Sequence, residues 1–388
     1  MSFKIRDAFL PYNRPDISQR EIDEVIDTLG SGWLVKGPRT MKFEEEFAAY
    51  LGAKYAVGMN SCTAALHISL LCAGIGEGDE VITTPMTFVS SVNTIIHAGA
   101  KPVLVDIDQD TACIDPKKIT AAITKKTKAI VPVHYAGQAC DLDKIYKIAD
   151  EHNLFVSEDA AHAFYTRNNG KLIGNDPKGT VSYSFYATKN LCTGEGGMLV
   201  TNDEAIAKKA RCMVTHGMSD NAWKRYAQGG KWGYDVTEIG YKYNMFDMQA
   251  ALGLVQLSRF EQMQQQREKY ARIYDKEFDK IDGIDYIKIS PNTTVHSRHL
   301  YIIKIDKYKL KMNRDEFIFQ LNERKVGTSV HFIPVHYMSI YKDKLGFKQG
   351  DFPVCENYFD QIISLPLYST MTENDVYYVI EAIRDIIK

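Results

Sequence analysis

Short apolar runs alternate with longer helical patterns between about residues 50 and 205. The runs are rich in β-branched residues and predict seven strands: Tyr55–Met59, Glu80–Thr84, Pro102–Asp106, Ala129–His134, Leu154–Glu158, Val181–Tyr186 and Met198–Thr201. Helical stretches such as Cys62–Ala73 and Asp141–His152 separate several of them. Apolar strands separated by helices are typical of a largely parallel α/β sheet, whose ligands bind at the carboxyl ends of the strands.

The pattern changes after about residue 245. Apolar residues recur at helical intervals from Met248 to Phe278 and predict one long helix. A smaller α+β arrangement follows, with strands predicted at Tyr301–Ile305 and Thr328–Ile333. Two more helices are predicted by their capping patterns, Asn313 with Glu316 and Thr372 with Asp375. We therefore expect a large domain over residues 1–247, including an N-terminal arm, and a small C-terminal domain over residues 248–388.

Composition narrows the classes of protein to which the chain could belong. Its 388 residues include 47 basic and 49 acidic ones, and a net charge of −2 argues against a general nucleic-acid binder. Seven cysteines without CxxC spacing predict reduced thiols in a cytoplasmic protein, with no disulfide framework and no metal site. We expect no signal peptide and no membrane insertion, because no apolar stretch approaches the ~20 residues of a membrane helix.

The first candidate for chemistry follows the strand Tyr55–Met59. The next residues, Asn60-Ser61-Cys62-Thr63-Ala64, are small and in part hydroxyl-bearing, and they begin a predicted helix. The free N–H groups and the dipole at a helix start favour an anion such as a phosphate. Alternatively, Ser61 or Thr63 only caps the helix.

The second candidate is the segment Phe155–His162. An apolar strand runs into Glu158 and Asp159, and His162 follows three residues after Asp159. A carboxylate at the end of a strand could hold a cationic ring nitrogen, and His162 could bond the same ligand. The alternative is a solvated strand end with an aspartate that caps a helix.

The third candidate is Lys189, which follows a strand presenting Ser184 and precedes the glycine-rich segment 194–197. Lysines that are removed from water and have a lowered pKa form Schiff bases, although a lone lysine can also be a surface loop residue. A helix-start phosphate site, a buried aspartate and a lysine together match the phosphate, ring nitrogen and aldehyde of pyridoxal 5′-phosphate. That cofactor supplies an electron sink.

Several segments then resemble one known family. They are SGWLVKGP (31–38), NSCTAAL (60–66), TPMTFVSSVNTI (84–95), EDAAHA (158–163), SFYATKNLCTGEGGM (184–198), GYKYNMFDMQAALGLVQL (240–257) and GTSVHFIPVH (327–336). The sequence is similar to the DegT/DnrJ/EryC1/StrS sugar aminotransferases, and within them to the spore-coat polysaccharide branch. The resemblance implies a fold-type-I, aspartate-aminotransferase-like homodimer that uses pyridoxal 5′-phosphate in its pyridoxal and pyridoxamine forms.

The resemblance also implies roles for individual residues around the cofactor. Lys189 matches the Schiff-base lysine, and Asp159 matches the partner of the pyridine nitrogen. The other implied cofactor contacts are His162 near the ring hydroxyl, Ser184 with Thr63 and Ala64 at the phosphate, and Phe88 stacked on the ring.

The segment Gly240–Met245 is expected to act across the dimer. Many relatives read GYNYRM there, and their asparagine reaches the phosphate of the neighbouring subunit's cofactor. Lys242 stands in its place here, and we expect Lys242 and Asn244 among the cofactor contacts. The same resemblance makes Trp33, His331 and His336 candidates for substrate contact, although each could be purely structural.

The implied activity is amino transfer from glutamate to a nucleotide-linked keto-sugar of the 4-keto-6-deoxy type, in surface polysaccharide or glycan biosynthesis. A 3-keto sugar nucleotide or a small phosphorylated ketone stays open as the acceptor. A pyridoxamine-dependent sugar dehydratase is disfavoured, because such relatives replace the lysine with histidine. A regulatory protein without enzymatic activity is the remaining alternative, and no helix-turn-helix pattern or basic segment supports it.

Overall fold

A seven-stranded sheet forms the centre of the N-terminal part in a computed structural model, which describes residues 3–218 and 233–388. The strands of this part are β1 (Tyr55–Met59), β2 (Glu80–Thr83), β3 (Lys101–Leu104), β4 (Thr127–Ile130), β5 (Phe155–Asp159), β6 (Arg167–Asn168), β7 (Lys171–Leu172), β8 (Thr180–Ser184) and β9 (Gly197–Thr201). The order in the large sheet is β1-β9-β8-β5-β4-β2-β3, and only β9 runs antiparallel to its neighbours. A strand is present at each of the seven predicted places, although the fourth, predicted over Ala129–His134, spans Thr127–Ile130. The fold-type-I α/β class is confirmed.

Helices cover the large sheet. In the N-terminal part they are Gln19–Gly30, Pro38–Leu51, Cys62–Cys72, Ser90–His97, Pro116–Ala122, Leu142–His152 and Glu204–Met213, with a 3₁₀ turn at Tyr135–Gly137. Asp141 caps its helix by accepting a hydrogen bond from the Lys144 N–H at 3.3 Å. Such a cap satisfies an N–H group that has no acceptor inside the first helical turn.

A smaller antiparallel sheet organises the C-terminal part. Its strands are β10 (Ile284–Tyr286), β12 (Tyr301–Ile305) and β13 (Ile362–Leu365), in the order β10-β12-β13, while β11 (Thr293–Val295) pairs with β6. The helices of this part are Asp247–Ser258, Phe260–Phe278, Lys307–Leu310, Arg314–Glu323, Ser339–Leu345, Pro353–Phe359 and Glu373–Ile386, with a 3₁₀ turn at Val335–Tyr337. Tyr274, Phe317 and Ile383 are among the buried side chains that form its core. Both predicted capping boxes are present, Asn313 with Glu316 and Thr372 with Asp375.

Two predicted elements differ from the structure. The long helix is broken at Arg259 (φ −116°, ψ 8°), where the helix over Asp247–Ser258 ends and the next begins. The predicted strand Thr328–Ile333 is wrong, because only Ser329 forms an isolated bridge, to Ser364 of β13. The backbone there has other partners: the Tyr135 hydroxyl donates to the His331 carbonyl, and the Val335 N–H donates to the Pro85 carbonyl at 3.0 Å.

Within residues 3–218 and 233–388, no helical segment combines the length and the apolar character that a bilayer span requires. All seven cysteines are free thiols.

Candidate active site

A cavity of about 440 Å³ lies at the carboxyl ends of the parallel strands. Segments that follow β1, β2, β4, β5 and β8 meet there, as expected for ligand sites of parallel sheets. The lining residues are Ser61, Cys62, Thr63, Thr87, Phe88, Ser90, Val133, Asp159, Ala161, His162, Ser184, Tyr186, Thr188, Lys189, Glu195, Gly196, His299, His331 and Phe332. The three sequence segments singled out for chemistry are therefore parts of one site.

The helix Cys62–Cys72 points its first turn at the cavity. Ser61 caps this helix, because its Oγ accepts a hydrogen bond from the Ala64 N–H at 3.1 Å. The N–H groups of Cys62 and Thr63 lie in the first turn, where no acceptor exists within the helix, and both residues line the cavity. The helix start therefore offers these two groups and its dipole to an anion, whereas Ala64 lies outside the cavity lining.

Gly197 allows β9 to lie close to that helix start. A Cβ atom at this position would come within 2.3 Å of the Ser61 carbonyl carbon and 2.5 Å of the Cys62 nitrogen. Ser184, at the end of the neighbouring strand β8, lines the same part of the site. Any larger residue than glycine at position 197 would push the strand away from the helix start.

Asp159 ends β5 and is 4 % exposed. Its Oδ2 accepts a hydrogen bond from the Ser91 hydroxyl at 2.7 Å, and its Oδ1 accepts one from the Ala161 N–H at 3.1 Å. Burial raises the pKa of this carboxyl group, while the two hydrogen bonds and the positive charge of Lys189 lower it. A carboxylate in this setting is suited to hold a cationic N–H group of a ligand.

Lys189 lies in a tight turn after β8, where its backbone N–H donates to the Tyr186 carbonyl at 2.8 Å. Its ammonium group is buried, and burial lowers the pKa of this lysine to about 8, although Cys62 and Asp159 act in the opposite direction. The neighbouring Asn190 donates from Nδ2 to the Ser297 carbonyl at 2.6 Å, which fixes the turn to the C-terminal part. A buried lysine with a lowered pKa provides a nucleophilic amine near neutral pH.

Histidines form one wall of the cavity. His162 Nδ1 accepts a hydrogen bond from the Ala136 N–H at 3.2 Å, and its ring lies 4.4 Å from that of His299 and stacks on Phe332 at 5.6 Å. Burial and the charge of Lys189 lower the pKa of His162, and burial lowers the pKa of His331 to about 4. Both rings are therefore neutral near pH 7, and a neutral His162 with Nδ1 as acceptor carries its proton on Nε2.

Phe88 and His331 also line the cavity, as the sequence predicts. Phe88 is 57 % exposed, and its ring lies 6.0 Å from that of Phe332. His331 Nδ1 is 2.9 Å from the Ser364 hydroxyl. An exposed aromatic ring at the mouth of a polar cavity offers a planar surface to a bound ring.

Besides Ala64, four of the predicted site residues lie outside the cavity of this chain. His336 is completely buried in the turn Val335–Tyr337, with Nε2 at 2.9 Å from Glu356, so it does not face a substrate. Trp33 is half-exposed, and its Nε1 donates to the Lys36 carbonyl at 3.1 Å.

Lys242 and Asn244, the other two, lie in the segment that follows the undescribed residues 219–232. Lys242 is exposed, and its carbonyl is 3.5 Å from Asn60 Nδ2. The Nδ2 of Asn244 donates to the Met245 carbonyl at 2.9 Å, while its Oδ1 is buried without a hydrogen-bond partner in the described chain.

Sequence reasoning missed several side chains that the fold brings to the site. His299 lines the cavity, and its Nδ1 lies 3.0 Å from Asn190 Oδ1. Ser91 and Thr87 extend the hydrogen bonding of Asp159. The only signal in the sequence was position: His299 lies two residues before a predicted strand, and Thr87 and Ser91 lie within three residues of Phe88.

The residues present fit pyridoxal 5′-phosphate. A helix start with free N–H groups suits the phosphate, the buried carboxylate of Asp159 suits a protonated ring nitrogen, and the amine of Lys189 suits the aldehyde. Phe88 offers an aromatic face to the ring. The cavity volume lies within the range usual for small-molecule sites.

The lowered pKa of Lys189 gives a pH prediction. Only the unprotonated amine can bond an aldehyde, so the rate at which the cofactor-free protein takes up pyridoxal 5′-phosphate should rise about tenfold per pH unit below pH 8 and level off above it. Stopped-flow absorbance of cofactor uptake between pH 5.5 and 9.5 measures this profile. A rate that keeps rising to pH 10, as for an exposed lysine, would contradict the effect of burial.

Comparisons with known proteins agree with this geometry. The sequence pattern of the DegT/DnrJ/EryC1/StrS aminotransferase family matches residues 15–384. The chain is 53 % identical over 387 residues to the spore coat polysaccharide biosynthesis protein SpsC of Bacillus subtilis (strain 168), covering 99 % of this chain and 98 % of that protein.

Solved structures with the same fold include relatives with the cofactor bound. Spr1654 from Streptococcus pneumoniae, solved in its PLP form, superimposes with a TM-score of 0.90 and 33 % identity, covering 98 % of each chain. The same protein has also been solved in its PMP form, with a TM-score of 0.91. Helicobacter pylori PseC, an aminotransferase involved in the biosynthesis of pseudoaminic acid, superimposes with a TM-score of 0.89 and 27 % identity over 98 % of this chain and 99 % of that one.

Proposed function

The chain belongs to the DegT/DnrJ/EryC1/StrS aminotransferase family of pyridoxal-phosphate-dependent enzymes, and we propose that it transfers an amino group from glutamate to a nucleotide-linked keto-sugar of the 4-keto-6-deoxy type. The product would serve surface polysaccharide or glycan biosynthesis. The proposal of amino transfer rests mainly on one observation. Lys189, with its lowered pKa, shares a cavity with the buried carboxylate of Asp159 and a helix start suited to phosphate.

Each of these residues has a distinct task. Lys189 Nζ would hold the cofactor through its aldehyde group, and as a free amine it would take the proton from the α-carbon of the donor, acting as a base and then as an acid. Asp159 would hold the proton on the ring nitrogen, and the cofactor supplies an electron sink when bound. Thr63 with Cys62 and Ser184 would hold the phosphate, Phe88 would stack on the ring, and His162 would donate from Nε2 to the ring oxygen.

The acceptor is proposed from two lines of support. The similarity to a spore coat polysaccharide biosynthesis protein of Bacillus subtilis extends over the whole chain, and this favours a sugar. Around Lys189 the cavity mouth carries polar side chains that can bond hydroxyl groups: Ser90, Tyr186, Glu195 and His331. A sugar ring presents several such groups, whereas a small phosphorylated ketone presents few.

An acceptor panel tests this proposal. The pyridoxamine form is mixed with a nucleotide-linked 4-keto-6-deoxy sugar, a nucleotide-linked 3-keto sugar and a small phosphorylated ketone, and the return of pyridoxal absorbance is followed. We expect the 4-keto sugar to react at least about tenfold faster than the others, because hydroxyl contacts discriminate strongly between ligands that satisfy them and ligands that do not. A faster reaction with the phosphorylated ketone would show that the acceptor is a small ketone and not a sugar.

Two alternative hypotheses, a sugar dehydratase and a regulatory protein, have less support than amino transfer. The dehydratase relatives carry histidine at the lysine position, whereas this chain has Lys189 in the cavity. Product analysis separates the two, since transfer gives an amino sugar and dehydration gives a deoxy sugar. A DNA-shift assay with a polyanion control tests the hypothesis of a regulatory protein. A cytoplasmic location stays a prediction.

We also propose a homodimer with shared active sites. The helix Gln19–Gly30 exposes an apolar stripe at Ile22, Ile26 and Leu29, which are 46, 60 and 51 % exposed. A contiguous apolar patch of this kind is uncommon on a monomer and favours burial against another protein surface. In such a dimer, the exposed Lys242 is available to the phosphate site of the partner. Trp33, four residues after Leu29 in the sequence, is available to the substrate of the partner.

Sedimentation velocity tests the dimer. We expect a mass about twice the 44.0 kDa of one chain, and a monomer for the double variant Ile22→Glu/Ile26→Glu, because charges in a buried apolar contact are costly. Tyr308→Glu is the matched control, since Tyr308 is an aromatic side chain, 83 % exposed, outside the stripe. A wild-type protein that sediments as a monomer at micromolar concentration would refute the shared site.

A further inference from the structure

The carboxylate of Asp159 is supported by a chain of two hydroxyl groups that the family comparison does not assign. Ser91 Oγ donates to Asp159 Oδ2 at 2.7 Å, and Ser91 Oγ is also 2.7 Å from Thr87 Oγ1. A serine hydroxyl has one hydrogen, and Ser91 uses it on the carboxylate. Thr87 therefore donates to Ser91, and the chain runs in one direction, from Thr87 through Ser91 to Asp159.

The two hydroxyl groups and the carboxylate are almost completely buried. Ser91 is 0 % exposed, Thr87 is 1 % exposed and Asp159 is 4 % exposed. A carboxylate in such a place depends on protein donors to stay ionised. The Ala161 N–H occupies Oδ1 at 3.1 Å, so a donor bonds each oxygen and fixes the plane of the carboxylate.

Other ionisable groups near Asp159 can either lower or raise the pKa of its carboxyl group. The charge of Lys189 and the side chain of His134 favour the ionised carboxylate, whereas the thiols of Cys62 and Cys140 would oppose it only as thiolates. Burial raises the pKa values of both thiols, so both are neutral near pH 7. The Ser91 hydroxyl and the Ala161 N–H are the groups that bond the two carboxylate oxygens directly.

We propose that Thr87 and Ser91 are positioning residues that keep Asp159 ionised and aimed at the ring nitrogen of the cofactor. This inference rests on the proposed function, because it assumes that a pyridine ring occupies the cavity. Ser91 acts directly on the carboxylate, and Thr87 acts through Ser91 by orienting and polarising its hydroxyl group.

Removing the hydroxyl groups of Thr87 and Ser91 should shift the protonation of Asp159 and the ring nitrogen in one direction. Without the Ser91 hydroxyl, the proton affinity of the carboxylate rises, because a hydrogen bond to a carboxylate favours its ionised form. The proton that Asp159 and the ring nitrogen would share is then held more firmly and shifts towards the carboxylate, so the midpoint at which it is lost should rise. A rise of about one pH unit is expected, because a hydrogen bond to a charged group contributes roughly a tenfold change in equilibrium.

The experiment uses the holoenzyme loaded with cofactor labelled with ¹⁵N at the ring nitrogen. The ¹⁵N chemical shift, followed against pH, reports protonation of that atom independently of turnover. For Ser91→Ala we expect the midpoint to rise by about one unit and kcat to fall about tenfold, with an unchanged KM for glutamate. Ser91→Thr should restore both values, and Thr87→Val should shift them in the same direction by less.

Thr94→Val is the matched control. Thr94 is a buried hydroxyl residue on the same helix, its Oγ1 lies 3.5 Å from the Ser91 carbonyl, and it does not contact Asp159. The proposal is overturned if Ser91→Ala and Thr87→Val leave the ¹⁵N midpoint at the wild-type value, or if Thr94→Val shifts it equally. A wild-type enzyme that transfers no amino group would instead refute the proposed function, while the ¹⁵N midpoints would still decide the positioning role.

Discussion

Lys189→Ala should lower kcat/KM for amino transfer by about 10⁴-fold, because one side chain provides both the covalent bond to the cofactor and the proton transfer. The purified variant should also lack the absorbance of covalently held cofactor. Steady-state assays with glutamate and the best acceptor of the panel, together with an absorbance spectrum, measure both effects.

A matched control separates this effect from misfolding. Lys171→Ala removes an exposed lysine from β7, outside the cavity, and should leave activity and spectrum at wild-type values. Both variants should keep the far-UV circular dichroism of the wild type. Turnover by Lys189→Ala at more than a few per cent of the wild-type rate would remove this lysine from the mechanism.

Asp159→Asn should lower kcat by about 10²–10³-fold while the cofactor stays covalently bound, and Asp159→Ala should do the same. The carboxylate stabilises charge that develops on the cofactor in the transition state, and preorganised electrostatic contacts of this kind have effects of that size. Asparagine has the same shape and can still accept the Ser91 hydrogen bond, which lies at 2.7 Å in the wild type, but it carries no charge.

Two measurements distinguish loss of charge from loss of structure at Asp159. The spectrum should still report bound cofactor in both variants, and the KM for glutamate should change much less than kcat. An active Asp159→Asn enzyme would contradict the electrostatic role of this side chain. Loss of cofactor from Asp159→Asn would indicate that the carboxylate serves mainly to bind it.

The sheet and the cofactor cavity could be predicted from the sequence because their signals are local. Buried strands such as Tyr55–Met59 are short, mostly apolar runs, and parallel topology then brings their carboxyl ends together. Asp159 and Ser184 end their strands and Lys189 follows soon after Ser184, so their positions along the chain already place them at one edge.

The features that the sequence did not predict involve contacts between residues far apart in the sequence. His336 is held by Glu356 and packs on Phe352, and nothing near position 336 in the sequence reveals either contact. The apolar pattern continues through Arg259, where the helix ends, and the side chain of Arg259 donates to the carbonyl of Asp16, which is distant in sequence. His299 lies beside Asn190 in the site, with its Nδ1 3.0 Å from Asn190 Oδ1, although the two residues are 109 positions apart.

The predicted dimer contacts depend on a second chain. Lys242 and Trp33 lie at the surface of this one, and a single sequence contains no periodic signal for what a surface residue touches in its partner. The domain boundary at residues 247 and 248 stays a prediction. It falls at the start of the helix Asp247–Ser258, which packs against the helices Gln19–Gly30 and Pro38–Leu51 of the N-terminal part.

We propose that this protein moves the amino group of glutamate onto a nucleotide-linked keto-sugar through Lys189. The most direct measurement supplies ¹⁵N-labelled glutamate and a nucleotide-linked 4-keto-6-deoxy sugar to the holoenzyme and analyses the sugar product by mass spectrometry. We expect a nucleotide-linked amino sugar that carries one ¹⁵N atom, with 2-oxoglutarate in equal amount and no product from Lys189→Ala. A sugar product without ¹⁵N, or equal labelling by Lys189→Ala, would contradict it.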